Sequence, residues 1–273
     1  MRIWRLATLA VLGLAGCQTF GGPASPDATL NSSAYLNAQV ILIGEQHDAP
    51  EQGEVQAQIV KTLINQGRLS GLVLEMADSG TSTAGLDNQA SDEAVKHALN
   101  WTEAAWPWSR YSGVIMHAVA AGISVYGGNL PRSEMRAMMH APSAFEHQHP
   151  KAWQRLQGLV AQGHCDLLPK AQIPAMTRIQ VAKDQRMAQT IAHLSHEASP
   201  GQAVVLIAGA VHVNRKVGVP LHLLASMPTW SLELRPRDAQ PSPTGDFNAS
   251  WLTPTAPSTD HCAQLRERWP PRS

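Results

Sequence analysis

The sequence predicts an α/β fold, a central and mostly parallel sheet flanked by helices, with a helical insertion. Three observations predict it. Short apolar runs alternate with stretches of helical periodicity along the whole chain. The run Ala203 to Ile207 is apolar at every position, as a strand covered on both faces is. At 273 residues and 44% apolar content the chain can build one sizeable core.

The elements follow in order. Gln39 to Ile43 is a β-branched run that stops at Gly44. Asp48 is placed as an N-cap and Pro50 in a first turn, after which Val55, Ile59, Val60, Leu63 and Ile64 recur at helical spacing up to Gly67. A second strand, Leu72 to Leu74, runs into Glu75 and Met76. A polar stretch, Asp78 to Ser91, leads to a Trp-rich segment (Trp101, Trp106, Trp108) and a helix with Val114, Ile115, Ala118 and Val119. Ile123 to Tyr126 reads as the third strand, and residues 133 to 170 as a helical insertion with Trp153, Leu156, Leu159 and Val160 on one stripe. Pro174 opens a long helix reaching about Glu197; Ala203 to Ile207 and Trp230 to Leu234 are the last strands. The tail from Pro236 is rich in Pro, Ser and Thr and reads as irregular.

In a parallel sheet, ligands bind beyond the carboxyl ends of the strands. Past the first strand lie Glu45 and His47, past the second Glu75, past the third Asn129 and Arg132, and past the fourth Gly209 and His212. Two histidines, two carboxylates, an amide and a guanidinium therefore gather at one edge. The long helix adds to them, because Met176, Gln180, Asp184, Met187, Ile191 and Leu194 share one face. A stripe against a core should not carry Gln180 and Asp184 unpaired. Either that end of the helix lines a polar cleft or the two residues are solvated.

Charge excludes one class of function. With 21 Lys and Arg against 21 Asp and Glu the chain has no basic excess of the kind a nucleic-acid binder uses. At the N-terminus Arg2 and Arg5 precede the apolar run Leu6 to Ala15, too short to span a bilayer and fitting a secretory signal. Leu14-Ala15-Gly16-Cys17 is similar to a bacterial lipoprotein box, which implies cleavage after residue 16 and lipidation of Cys17. Residues 17 to 36 then form a tether, and Gln18 after the cysteine implies sorting to the outer membrane. Loss of two arginines leaves the mature chain faintly acidic. With Cys17 lipidated in an oxidising compartment, Cys165 and Cys262 remain, and they are expected to pair and tie the tail to the body.

The ordered set Gly44-Glu45-Gln46-His47-Asp48, Glu75, Trp106-Pro107-Trp108 with Tyr111, Asn129 to Arg132, Gly163-His164-Cys165, Gln180 with Asp184 and Met187, and Gly209 with His212 resembles the ChaN-like haem-binding lipoproteins. These are related to Tiki proteases, TraB-like proteins and erythromycin esterases, and the likeness runs from residue 37 to 235, leaving 236 to 273 as a tail. The resemblance implies haem binding for iron uptake at a bacterial outer membrane. Its implied partners are haem, the membrane, an outer-membrane haem receptor and a second copy of the chain. Tyr111 is the positional match for an axial ligand, with Trp108 packing on the porphyrin; His164 would ligate iron or bind a propionate, and Arg132 is a further cofactor-binding candidate. Tyr35 and Tyr126 are weaker candidates, and Met138, Met139, His140, His147 and His149 read as an insertion loop. The competing reading implied by the relatives is a hydrolase, with a divalent metal on His47, Glu75 and His212 and with Glu45 as general base. One departure stands out: Val211 precedes His212 where the resemblance leads one to expect glycine.

Overall fold

A computed structural model of the chain describes residues 30–256 and 261–268. The signal segment, Cys17 and most of the tether lie outside the described residues.

A short helix α1 (Ser33–Leu36) leads into β1 (Val40–Glu45), α2 (Gln52–Asn65), β2 (Leu69–Asp78), α3 (Asp92–Ala98), α4 (Trp108–Ala120) and β3 (Val125–Asn129). The insertion follows as α5 (Arg132–Met138), α6 (Ala144–Gln148) and α7 (Pro150–Gly163). Then come α8 (Ile173–Glu197), β4 (Ala203–Gly209), α9 (Ala210–Val213), β5 (Thr229–Pro236), β6 (Ala249–Thr253) and α10 (His261–Arg268). The six strands form one sheet in the order β3-β2-β4-β1-β5-β6, and every ladder between them is parallel.

Alternation along the strands divides the core in two. Ile41, Ile43, Leu72, Leu74, Val205 and Ile207 face α2 and α4 on one side. Val40, Leu42, Val73, Val204 and Leu206 face Met187, Ala188, Ile191 and Leu194 of α8 on the other. Both faces are covered, which is why these strands are apolar throughout.

Several expectations need correction. The first helix starts at Gln52, because Asp48 accepts from the side chain of Gln46 at 2.7 Å and sits in a turn. The second strand runs on to Asp78 through a register shift after Leu74, so Glu75 lies within it. The third strand begins at Val125, since Ala118 and Val119 carbonyls take the amides of Ile123 and Gly122 to close α4. The tail is not merely irregular. Ala249–Thr253 adds a sixth strand beside β5, and buried Gln52 staples the two by donating to the Leu234 carbonyl and to Thr253 Oγ1. The expected bridge is present: Cys165 and Cys262 are joined with their Cα atoms 5.5 Å apart.

Candidate functional site: a buried charge chain beneath a cleft

Strand alternation decides which side of the sheet each carboxylate takes. Glu45 follows Ile41 and Ile43 on the α2/α4 face, where its Oε2 accepts from Gln56 Nε2 at 2.5 Å and its Oε1 from the Tyr111 hydroxyl at 2.6 Å. Glu75 follows Val73 on the α8 face, where Lys183 Nζ lies 3.5 Å from Oε1. His47 reaches over the edge between them. Its Nδ1 is 2.8 Å from Glu45 Oε1 and its Nε2 is 3.7 Å from Glu75 Oε2. The loop is held by Arg110, which donates to the His47 carbonyl, and by Trp106, whose ring meets the imidazole edge-on at 4.8 Å.

Beyond Glu75 the chain continues inward. His212 Nε2 lies 3.2 Å from Glu75 Oε1, and His212 Nδ1 lies 2.6 Å from Asp184 Oδ1. Glu75 Oε2 also accepts the Gly209 amide at 2.8 Å. A Cβ on Gly209 would come within 2.9 Å of His47 Nε2, so glycine leaves the room in which His47 approaches Glu75. Val211, where glycine was expected, turns outward and lines the cleft without crowding the buried His212.

Proton affinities follow from these contacts. Burial would lower the His212 pKa, but the carboxylates of Glu75 and Asp184 outweigh it and raise it to about 10. Burial raises Asp184 to about 6 against the pull of His212. Burial would raise Glu75, yet His212, Lys183 and His47 hold it well below the usual carboxylate range. His47 is raised as well: burial lowers it, and Glu45 and Glu75 more than restore it. An acceptor faces each ring nitrogen of His212, an arrangement that favours the imidazolium form.

The geometry does not support the metal reading. Each ring nitrogen of His212 faces a carboxylate oxygen, and a cation, Lys183, already sits at Glu75. Among the described residues no group of three or more His, Cys, Asp or Glu side chains is arranged to hold a metal. Glu45 is not placed as a base either, because His47, Gln56 and Tyr111 take up its carboxylate. His47 is the most exposed member of the chain at the cleft, with its side chain 39% exposed.

The cleft above this chain measures about 740 Å³, within the range of small-molecule sites. Its floor is the strand edge with Glu45, Glu75 and Gly209; α7 supplies Leu156, Leu159 and Val160, and His164 follows at its C-terminal cap; Trp106 and Val211 add to the wall. Gln180 and Lys183 of α8 line it too, so that end of the helix faces a polar cleft, and Asp184 is buried beneath it. His164 also lines the cleft. Tyr111 does not: it is 2% exposed, and with its hydroxyl committed to Glu45 and its pKa driven up by burial it has no phenolate to offer an iron. Tyr35 is buried at 1% beside Trp230. Trp108 is also turned inward, its indole N–H donated to Asp92 at 2.6 Å, and Trp106 takes the place in the cleft wall expected of it. Asn129 and Arg132 stay apart because β3 is an outer strand; Asn129 caps the Leu130 amide and Arg132 is exposed at the start of α5.

Residues 33–223 match the family profile described as haem-binding uptake, Tiki superfamily, ChaN. The chain belongs to this family. The structure is similar to that of ChaN of Campylobacter jejuni, described as showing cofacial haem binding, with TM-score 0.66 and 24% identity over 82% of this chain and 89% of that one. That likeness is one of fold. The type III effector HopBA1 is more distant, at TM-score 0.45 and 16% identity over 80% of this chain and 88% of that one, and supports no functional argument. No curated protein matches the ChaN-family chain at a significant level.

Proposed function

We propose that the protein is a lipid-anchored haem-binding protein of the bacterial cell envelope serving iron uptake, with its haem site in the cleft. Family membership supports haem as the ligand. The observation that carries the site is His164. Its Nδ1 lies 2.7 Å from the Val160 carbonyl, which makes Nδ1 the donor and leaves the lone pair on Nε2. An imidazole so oriented suits ferric haem, and Leu156, Leu159, Val160 and Trp106 offer an apolar wall to the macrocycle. Lys183 and Arg235, both lining the cleft, are cations suited to propionates. The lipoprotein box ending in Cys17 supports the anchor and the envelope location. Delivery to an outer-membrane haem receptor and pairing with a second copy belong to the same reading.

Hemin titration followed by absorption tests the site. His164→Ala is expected to shift the Soret band and weaken binding by about tenfold or more, and Tyr111→Phe to leave the spectrum unchanged. A normal spectrum in His164→Ala with an altered one in Tyr111→Phe would remove His164 as ligand. The anchor is tested by Cys17→Ala in cells, expected to move the protein from the membrane to the soluble fraction. Unchanged membrane fractionation and no acyl group on Cys17 of the native protein would rule it out.

A further inference from the structure

Because every ladder is parallel, the strands carry their carboxyl ends to the cleft and their amino ends to the opposite edge. The chain enters the fold at that opposite edge. Leu30 packs against the core, and α1 follows with Tyr35 edge-on against Trp230 near the amino end of β5. The amides of Gln39 and Val40 both donate to the Pro228 carbonyl, at 2.9 and 3.1 Å, which fastens the base of β1 to the loop before β5. Two leucines project from this junction. Leu36, the last residue of α1, is 48% exposed and Leu224 is 68% exposed, the two most exposed large apolar side chains among the described residues. Leu223 and Met227 of the same loop pack on the α8-side core, so Leu224 is turned out while its apolar neighbours are turned in. Arg68, just before β2, donates to the carbonyls of Tyr35 and Leu36 at 3.1 and 3.0 Å, which fixes the end of α1 and brings a cation to the same edge. One exposed leucine is ordinary; two at the edge where the tether arrives suit an apolar surface beneath it.

We propose that this amino edge, tipped by Leu36 and Leu224, rests on the phospholipid surface that holds the acyl anchor, so that the cleft opens away from the bilayer. This orientation rests on Cys17 being lipidated. Cys17 lies thirteen positions before Leu30, and a chain of that length reaches at most about 45 Å. To turn the cleft toward the membrane, the tether would first have to run the length of the strands, about 20 Å for the six residues of β1. With the amino edge down it passes no part of the domain. Two leucines alone bind a bilayer weakly, because little apolar area enters it. The anchor makes the contact intramolecular, at an effective concentration that a short tether keeps high. The leucines then enter the boundary between headgroups and acyl chains, and Arg68 stands at the level of the lipid phosphates. The cleft faces the aqueous compartment, where a ligand reaches it without crossing lipid.

The acylated mature protein is reconstituted into vesicles of phosphatidylethanolamine and phosphatidylglycerol, with or without lipids carrying a nitroxide near the top of the acyl chain. A polarity-sensitive fluorophore is placed on Ser226→Cys, in the same exposed loop, or on Val211→Cys, at the cleft, with the Cys165–Cys262 bridge left oxidised. Emission at position 226 is expected to shift to the blue on vesicles and to be quenched by the nitroxide about threefold more than at position 211. Adding Leu36→Ser with Leu224→Ser should remove most of that difference while the protein still floats with the vesicles. Both leucines are exposed, so the core is untouched, and an unchanged far-ultraviolet circular dichroism spectrum checks it. Equal quenching at the two positions, stronger quenching at 211, or no response to the serine pair overturns the orientation and leaves the anchor standing. Failure of the protein to float with vesicles overturns both. Shielding of the 226 label from iodide in unlipidated Cys17→Ala protein, at the mass of a dimer, assigns the edge to a second copy and likewise overturns the orientation.

Discussion

Glu75→Ala is expected to destabilise the fold by about 3–5 kcal/mol, the cost of removing one partner from a buried ion pair. Glu75 is 2% exposed and serves the Gly209 amide, His212 Nε2 and Lys183 at once. Its loss leaves an imidazolium and an ammonium facing each other across the gap, and a buried amide without its acceptor. In a domain of this size that corresponds to a melting temperature lower by on the order of 10 °C. Glu75→Gln keeps an acceptor for Gly209 but not the charge, so an intermediate loss is expected. Combined with His212→Ala, the loss should fall short of the sum of the two, because each removes the same attraction. Urea unfolding at pH 7 measures all of this. A loss below about 1 kcal/mol for Glu75→Ala would mean that the charges relax into solvent instead of depending on one another.

The elements that carried this chain of charges were legible to different degrees, for identifiable reasons. The strands β1 and β4 announce themselves because both faces are covered, and residues just past such strands must stand at the ligand edge. Asp184 was detectable as a carboxylate on an apolar stripe, a position that burial permits only with a partner, here His212. Tyr111 could have been read correctly from the same kind of periodicity. It shares the spacing of Val114, Ile115 and Ala118, and all four are buried on one side of α4. Trp106 against Trp108 could not be settled this way, because Pro107 caps the helix and the phase of α4 does not extend back through it. β6 stayed hidden as a short outer strand after a Pro-rich run, with only Trp251 and Thr253 buried. His261, which lines the cleft as well, had no local signal at all. Its place depends on the disulfide and on an α7 terminus formed nearly a hundred residues earlier.

The second large effect is a loss of stability on the alkaline side that His212 chiefly imposes. In the unfolded chain this imidazole titrates near its ordinary value of 6.5, and in the fold near 10. Between those values the native state holds a proton that the unfolded state has released, so stability must fall as pH rises. The contribution is complete below about pH 6.5 and gone above about pH 10, and it amounts to a few kcal/mol. Asp184, raised to about 6, has the same sign over a lower window: what it contributes in acid is lost as pH climbs from about 3.8 through 6. Glu75 has the opposite sign, since its depressed pKa contributes above about 4.5 and is lost as acid protonates the folded form. His212 therefore dominates the slope between pH 7 and 9.5, and His47, raised more modestly, adds to it with the same sign. Unfolding free energies of the native protein should decline across that interval, and those of His212→Gln should be lower at pH 7 and nearly level. Parallel profiles for the two would show that His212 is neutral in the fold.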